Sequence, residues 1–132
     1  MDIQLWREML DPYRLAVDEL ILKFNHMIEE FHNANLYSPI EQVNGRVKKI
    51  SSILDKCQKK GIPYDEIENY IEDIAGVRII CQFVEDIDRV VEIIRQRTDM
   101  EVKSEKDYIN NMKNTFSFNY YYFYFSHSSL LR

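Results

Sequence analysis

Apolar residues along the first third of the chain recur with a helical period. Val17, Leu20, Ile21, Phe24, Met27, Ile28 and Phe31 follow the i, i+3, i+4, i+7 spacing of one face, while Asp18, Glu19, Lys23, Glu29 and Glu30 fall on the other. The spacing predicts a long amphipathic helix opening at Asp11-Pro12, with Asp as N-cap and Pro at the first helical position. Ser38-Pro39 breaks the pattern, and the period then changes to two. From Gln42 to Ile50, Val43, Gly45 and Val47 alternate with Asn44, Arg46 and Lys48, which predicts a short strand. Ser51 or Ser52 can cap a following helix with the stripe Ile50, Ile53, Leu54 and Cys57, stopped by Gly61-Ile62-Pro63. A second short helix is expected over Tyr64 to Ile71. Gly76 to Val84 is apolar on both faces and reads as a central strand buried on both sides. Ile87, Val90, Val91 and Ile94 form another helical stripe, with Glu85, Asp86 and Asp88 near its start and Arg95 and Arg97 near its end, as the helix dipole prefers. Met100 to Lys103 begins a third strand. Helices interleaved with strands in this order give an α/β arrangement.

Composition narrows the function classes. At 132 residues, 45% hydrophobic and 30% charged, the chain is enough for one soluble domain with one core. No run approaches the ~20 uncharged apolar residues of a membrane span, and Met1-Asp2-Ile3-Gln4 lacks the basic start of a secretory leader, so a cytoplasmic protein is expected. A net charge of -5 argues against a general nucleic-acid binder, which needs an excess of cations over the phosphates. With only three glycines, at 45, 61 and 76, neither a Walker-type nor a dinucleotide-binding loop can be written, so phosphate would have to be held by cationic side chains. Cys57 and Cys81 sit inside apolar patterns without partners at metal spacing and read as buried thiols, and His26 and His32 on the first helix have no companion ligands.

Against that acidic background one basic cluster stands out. Arg46 and Lys48 share a face of the predicted strand, and the next helix places Ser52, Lys56 and Lys59 at i, i+4 and i+7 on one stripe. Like charges at that spacing cost a few tenths of a kcal/mol per pair, roughly, which a bound anion such as a triphosphate would offset. On spacing alone the same lysines serve equally well as a solvated helix face; the Arg46 guanidinium favours the anion, because it can grip phosphate bidentately or stack on a base. The second feature is Asp73-Ile74-Ala75-Gly76-Val77-Arg78, which sets a carboxylate at the mouth of a strand and an arginine at its start. Asp can hold Mg²⁺ and Arg can neutralise charge on phosphate, although a turn-capping Asp and a surface-paired Arg fit the same residues.

Taken together in order and spacing, Ser38-Pro39-Ile40-Glu41, Gly45-Arg46-Val47-Lys48, Ser52-Ile53-Leu54, Lys56, the run Glu72 to Phe83 and Lys106-Asp107-Tyr108-Ile109 resemble the RelA/SpoT-homologue synthetases, most closely the small, single-domain alarmone synthetases. The resemblance implies a nucleotidyltransferase-like mixed sheet with flanking helices. It also implies transfer of the β,γ-diphosphate of ATP to the 3′-hydroxyl of GTP or GDP. It assigns Arg46, Lys48, Ser52, Lys56 and Lys59 to ATP, Asp73 to Mg²⁺, Arg78 to support of the reacting centre, and Lys106 and Lys113 to basic positions that could contact phosphate. Lys59 stands where relatives often carry Arg, and an ammonium cannot stack on adenine as a guanidinium does. The family's small members assemble as tetramers, so a homo-oligomer is expected.

The resemblance covers residues 12 to about 113, so residues 1–115 read as the N-terminal part of a synthetase domain and 116–132 as an unrelated tail. The family pattern calls next for Gly-Tyr-Arg-Ser-x-His, whose tyrosine stacks on the acceptor guanine, and later for a Glu within Glu-Ile-Gln. Neither is present. Eight of the ten residues from Phe116 to Phe125 are aromatic, an uncharged, β-prone composition that reads as a frame shift followed by an early stop. The expectation is therefore a fold incomplete at its C-terminus with an exposed sheet edge, and a chain inactive on its own. The alternatives are a non-catalytic nucleotide-binding or oligomer-partner module and, less favoured, a single-strand binder using the aromatic tail.

Overall fold

The computed structural model describes residues 3–71 and 74–100, apart from the Asn69 side chain, together with the backbone of 120–125. Helix α1 spans Ile3–Asn33, strand β1 Gln42–Val47, and helix α2 Ile50–Lys60. A 3₁₀ turn at Tyr64–Glu66 leads into the short helix α3 at Ile67–Tyr70. Strand β2 at Ala75–Ile80, helix α4 at Val84–Gln96 and strand β3 at Tyr120–Phe125 complete the order. The α/β class is therefore as the sequence indicates. The three strands form one sheet in the order β1-β2-β3, and both pairings are antiparallel.

Helix α1 differs from expectation at its start, because it runs straight through Pro12. An interior proline removes a backbone hydrogen bond and costs about 3 kcal/mol. The extension nevertheless wins because Trp6 and Leu10 upstream are 3% and 1% exposed and sit on the stripe that continues through Tyr13 and Val17. Burying two such side chains contributes about 3–6 kcal/mol, which exceeds the cost of the proline. The 31-residue helix is about 46 Å long. It lies on the sheet face formed by Val43, Gly45 and Val47 of β1 and Ala75, Val77 and Ile79 of β2.

Gly45 makes that seating possible. A Cβ at this position would overlap Cγ1 of Val17 and stand 2.7 Å from Cδ1 of Ile21, so the helix approaches the strand where no side chain intervenes. Around this contact, Ile53 and Cys57 of α2, Ile67 of α3, and Ile87, Val90 and Ile94 of α4 close one continuous core. Cys57 and Cys81 are both buried free thiols, and burial pushes the Cys81 thiol up to about 11.

Two strands are shorter than the alternation suggests. β1 ends at Val47 rather than Ile50 because the chain turns into α2. β2 ends at Ile80 rather than Val84, and Gln82, Phe83 and Val84 are exposed instead of buried. The reason is the start of α4: the Asp86 carboxylate accepts the Phe83 backbone N–H (3.2 Å) and the Tyr37 hydroxyl (2.6 Å), which commits Val84 to the helix. β2 is central, as expected, with Ala75, Val77 and Ile79 fully buried on one face. On the opposite face Gly76 is buried, while Arg78 and Ile80 are only half-buried. The expected strand at Met100 to Lys103 falls, apart from Met100, outside the described residues. β3 instead comes from the aromatic run and pairs with β2, which leaves β1 and β3 as the edges of the described sheet.

Two contacts brace the far ends. Arg97 donates to both oxygens of Asp99 (2.8 and 2.7 Å), and Lys23 of α1 joins Asp99 at 3.1 Å and Glu19 at 3.3 Å. These cations hold the Asp99 carboxyl well below the usual carboxylate range. The Arg89 guanidinium of α4 lies 5.3 Å from the centroid of the Phe31 ring of α1.

Candidate nucleotide site

The face of β1 and β2 turned away from α1 carries the polar residues. In the antiparallel register Asn44 stands opposite Arg78, Arg46 opposite Gly76, and Gln42 opposite Ile80. Directly opposed residues project from the same side of a sheet, so Arg46 and Arg78 share this face on a cross-strand diagonal, with only a glycine facing Arg46. Arg46 is exposed and Arg78 half-buried. The Lys48 N–H donates to the Ile74 carbonyl at 2.7 Å, which carries the ladder one rung past the strand and gives Lys48 the parity of Arg46. At the other end, the Ser38 hydroxyl donates to the Ile40 carbonyl (2.7 Å) and the Tyr37–Asp86 bond ties this loop to α4, fixing where β1 begins. That bond pushes the Tyr37 hydroxyl up to about 12.

Helix α2 begins immediately after Lys48. Its N-cap is Lys49 in an extended conformation, with the Ile53 N–H bonded to the Lys49 carbonyl at 3.0 Å and no side-chain cap. Neither serine is the cap, contrary to expectation, because Ser51 and Ser52 already lie inside the first turn and both are exposed. Ser52 then brings its hydroxyl to the end of the helix where backbone N–H groups lack intrahelical acceptors and the dipole favours anions. Lys56, one turn on, is half-buried. Lys59 departs from the expected convergence: it is exposed and paired with Asp55 of its own helix at 3.0 Å, which relieves the repulsion along the stripe without an anion. The helix closes at Gly61, whose φ of 65° is the left-handed conformation that glycine adopts without strain.

The structure thus brings Arg46, Lys48 and Arg78 onto one sheet face and sets Ser52 and Lys56 on the helix that follows from it. Asp73, Lys106 and Lys113 lie outside the described residues. Asn44 shares the face with Arg46 and is not among the residues that charge patterning singles out. Its signal was the alternation itself, but its place opposite Arg78 depends on register between distant segments. His26 and His32 are exposed on α1. A separate cavity of about 190 Å³, lined by Leu5, Trp6, Met9, Tyr64 and Ile67, contains none of these cations.

A cationic sheet face running into a helix N-terminus is a general anion site, and comparison with known proteins makes it specific. Residues 45–128 match the family model described as the region found in RelA / SpoT proteins. This chain belongs to the RelA/SpoT family. The matched residues include the whole cationic face, β1 from Gly45 onward, and β2 and β3. GTP pyrophosphokinase YjbM of Bacillus subtilis is 46% identical over 113 residues, covering 86% of this chain and 53% of the relative. The small alarmone synthetase 1 of Bacillus subtilis bound to its product pppGpp superposes with a TM-score of 0.77 at 45% identity, covering 83% of this chain and 57% of that one. The same synthetase bound to AMPCPP gives a TM-score of 0.67 at 47% identity, covering 73% and 52%. This RelA/SpoT chain therefore spans about half the length of the relatives it matches. Among its described residues no helix is long and apolar enough to cross a membrane.

Proposed function

We propose that this RelA/SpoT chain carries the ATP-donor half of an alarmone-synthesising site, the family reaction being transfer of diphosphate from ATP to the 3′-hydroxyl of GTP or GDP. The observation that carries this reading is the placement of Arg46 and Arg78 on one sheet face, diagonal across Gly76, continued by Lys48 into the N-terminus of α2. Arg46, Lys48, Ser52 and Lys56 bind the ATP, with its phosphates at the helix end, and Lys59 joins them by exchanging Asp55 for the nucleotide. Arg78 supports the bound nucleotide from β2, opposite Asn44, while Lys106 and Lys113 contribute further phosphate contacts. Such a site works by holding the donor in line and balancing its charge.

Mg²⁺ fits this donor set, since it usually takes one or two carboxylates together with substrate phosphate oxygens. Asp73 is the carboxylate that would hold it, immediately before Ile74, whose carbonyl accepts the Lys48 N–H. When bound, the ion offsets negative charge on the phosphates. The protein works in the cytoplasm and forms a homo-oligomer. Residues 1–115 make the donor half, and 116–132 follow it with an aromatic-rich composition although the family match continues to residue 128.

Because residues 114–132 do not carry Gly-Tyr-Arg-Ser-x-His where the family pattern calls for it, the chain of residues 1–132 makes no product. The same observation favours a second reading, a non-catalytic module that binds nucleotide or joins an intact relative. Two measurements test the proposal. A non-hydrolysable ATP analogue should bind the purified chain and lose about tenfold in affinity in Arg46→Ala, the scale of one lost charge-assisted contact. Incubation with ATP, GDP and Mg²⁺ should yield no guanosine tetraphosphate. An Arg46→Ala protein that binds like wild type would overturn the site, and turnover would overturn the inactivity.

A further inference from the structure

The open face of β1 is polarised along its length. Lys48 and the first turn of α2 lie at one end, and the neutral amides Gln42 and Asn44 lie at the other. Asn44 precedes Lys48 by four residues with the same parity, about 13 Å along an extended strand. Arg46 sits midway, and Arg78 stands directly across from Asn44 on β2. The phosphates of a nucleotide follow the cations and the helix N-terminus. Its base must then extend back over Arg46 toward Asn44, where the guanidinium planes suit a flat ring.

The half-buried Asn44 is held in place there. Its Oδ1 accepts from Gln42 Nε2 at 3.2 Å, which leaves a second Oδ1 lone pair and, among the described residues, both Nδ2 hydrogens for a ligand. Such a carboxamide offers one acceptor and one donor side by side. Adenine presents the complement, its N6 amino donor beside its N7 acceptor, whereas guanine presents two acceptors, O6 and N7. Against guanine, Oδ1 would face O6 and repel it.

We propose that Asn44 is a specificity-determining residue that reads the edge of the donor purine and favours adenine over guanine. This rests on the ATP-site reading above, and the test separates the two. Titration calorimetry on the full chain, with non-hydrolysable ATP and GTP analogues, compares wild type with Asn44→Ala, Asn44→Gln and Arg46→Ala. Wild type should prefer the adenine analogue by about tenfold or more, the discrimination of one well-placed amide pair. Asn44→Ala should weaken the adenine analogue by about that factor and leave the guanine analogue within about threefold, bringing the ratio near one. Asn44→Gln, which restores a carboxamide, should recover part of the preference and serves as the test if the alanine variant does not fold. An unchanged ratio in the Asn44 variants, or equal binding of both analogues by wild type, overturns the role of Asn44. If Arg46→Ala still weakens both analogues, the nucleotide site survives that result. Wild type that binds neither analogue overturns both.

Discussion

Gly45 offers a sharp test of how the sheet and the long helix are assembled. In Gly45→Ala the new Cβ would overlap Val17 Cγ1 and stand 2.7 Å from Ile21 Cδ1, whereas carbon atoms pack best at about 3.5–4.0 Å. The two neighbours differ in their capacity to yield. Ile21 Cδ1 is the far end of a flexible side chain, but Val17 Cγ1 is one bond from its own Cβ, and valine in a helix has one strongly preferred rotamer. Helix α1 must therefore lift from β1, or Val17 must leave its rotamer. Overpacking of this kind costs about 1–3 kcal/mol. Alanine recovers up to about 1 kcal/mol of that, because glycine is unfavourable in a strand. The net destabilisation expected is about 1–2 kcal/mol, or a fall in Tm of about 3–8 °C for a domain of this size.

The assay is thermal and urea unfolding of four proteins: wild type, Gly45→Ala, Val17→Ala and the double variant. Val17 is 5% exposed, so Val17→Ala alone is destabilising. It also empties the volume the new methyl needs, so adding Gly45→Ala to Val17→Ala should cost nothing further, a coupling of about 1–2 kcal/mol. Additive effects, or a Gly45→Ala protein as stable as wild type, would refute the close seating of α1 on β1.

The remaining predictions concern the braces and thiols. Asp99 titrates below its usual value of 3.8 because of Arg97 and Lys23, so its contribution to stability is complete above that value and lost as pH falls further. Asp99→Asn should lower Tm at pH 7 by about 4 °C, from about 1 kcal/mol for a partly exposed network, and the difference should shrink in melts below pH 3.8. Asp86→Ala removes the acceptor of both the Tyr37 hydroxyl and the Phe83 N–H and should lower the urea midpoint by more than Tyr37→Phe, which removes only the first of these bonds. Equal losses would mean that the cap of α4 contributes nothing. Cys81, fully buried with its thiol pushed up to about 11, should react with a thiol reagent at pH 8 only at the rate of unfolding; rapid labelling in native buffer would contradict its place in the core.

Periodicity made legible the stretches whose structure is decided locally. The stripe from Val17 to Phe31, the alternation of Val43, Gly45 and Val47, and the stripe Ile87, Val90, Ile94 all lie where they were read. At two places the structure differs because a distant partner outweighs a local signal. Pro12 is a sound helix start by itself, and only burial of Trp6 and Leu10 against the rest of the core makes a helix through it favourable. Phe83 and Val84 continue an apolar run, yet Asp86 takes the Phe83 N–H and the Tyr37 hydroxyl and starts a helix there. At Lys59 the decisive contact is local, since the i, i+4 spacing alone supplies the ion pair with Asp55.

The same logic explains which part of the site was readable. Arg46, Lys48, Ser52 and Lys56 are near neighbours in sequence, so strand parity and helical spacing group them without any knowledge of the fold. Arg78 joins them only through the β1–β2 register, and Asn44 acquires meaning only from standing opposite Arg78. Register is set by the face turned to α1, where half-buried Val43 and Val47, with Gly45 between them, meet the buried Ile79, Val77 and Ala75. A one-residue slip would turn Arg46 and Asn44 into the core. Seating of α1 on Gly45 and alignment of the two arginines are therefore one structural fact seen from opposite faces of the sheet. A lesion at Gly45 should accordingly weaken nucleotide binding although it touches no nucleotide, and one at Arg46 should weaken binding while leaving the fold intact.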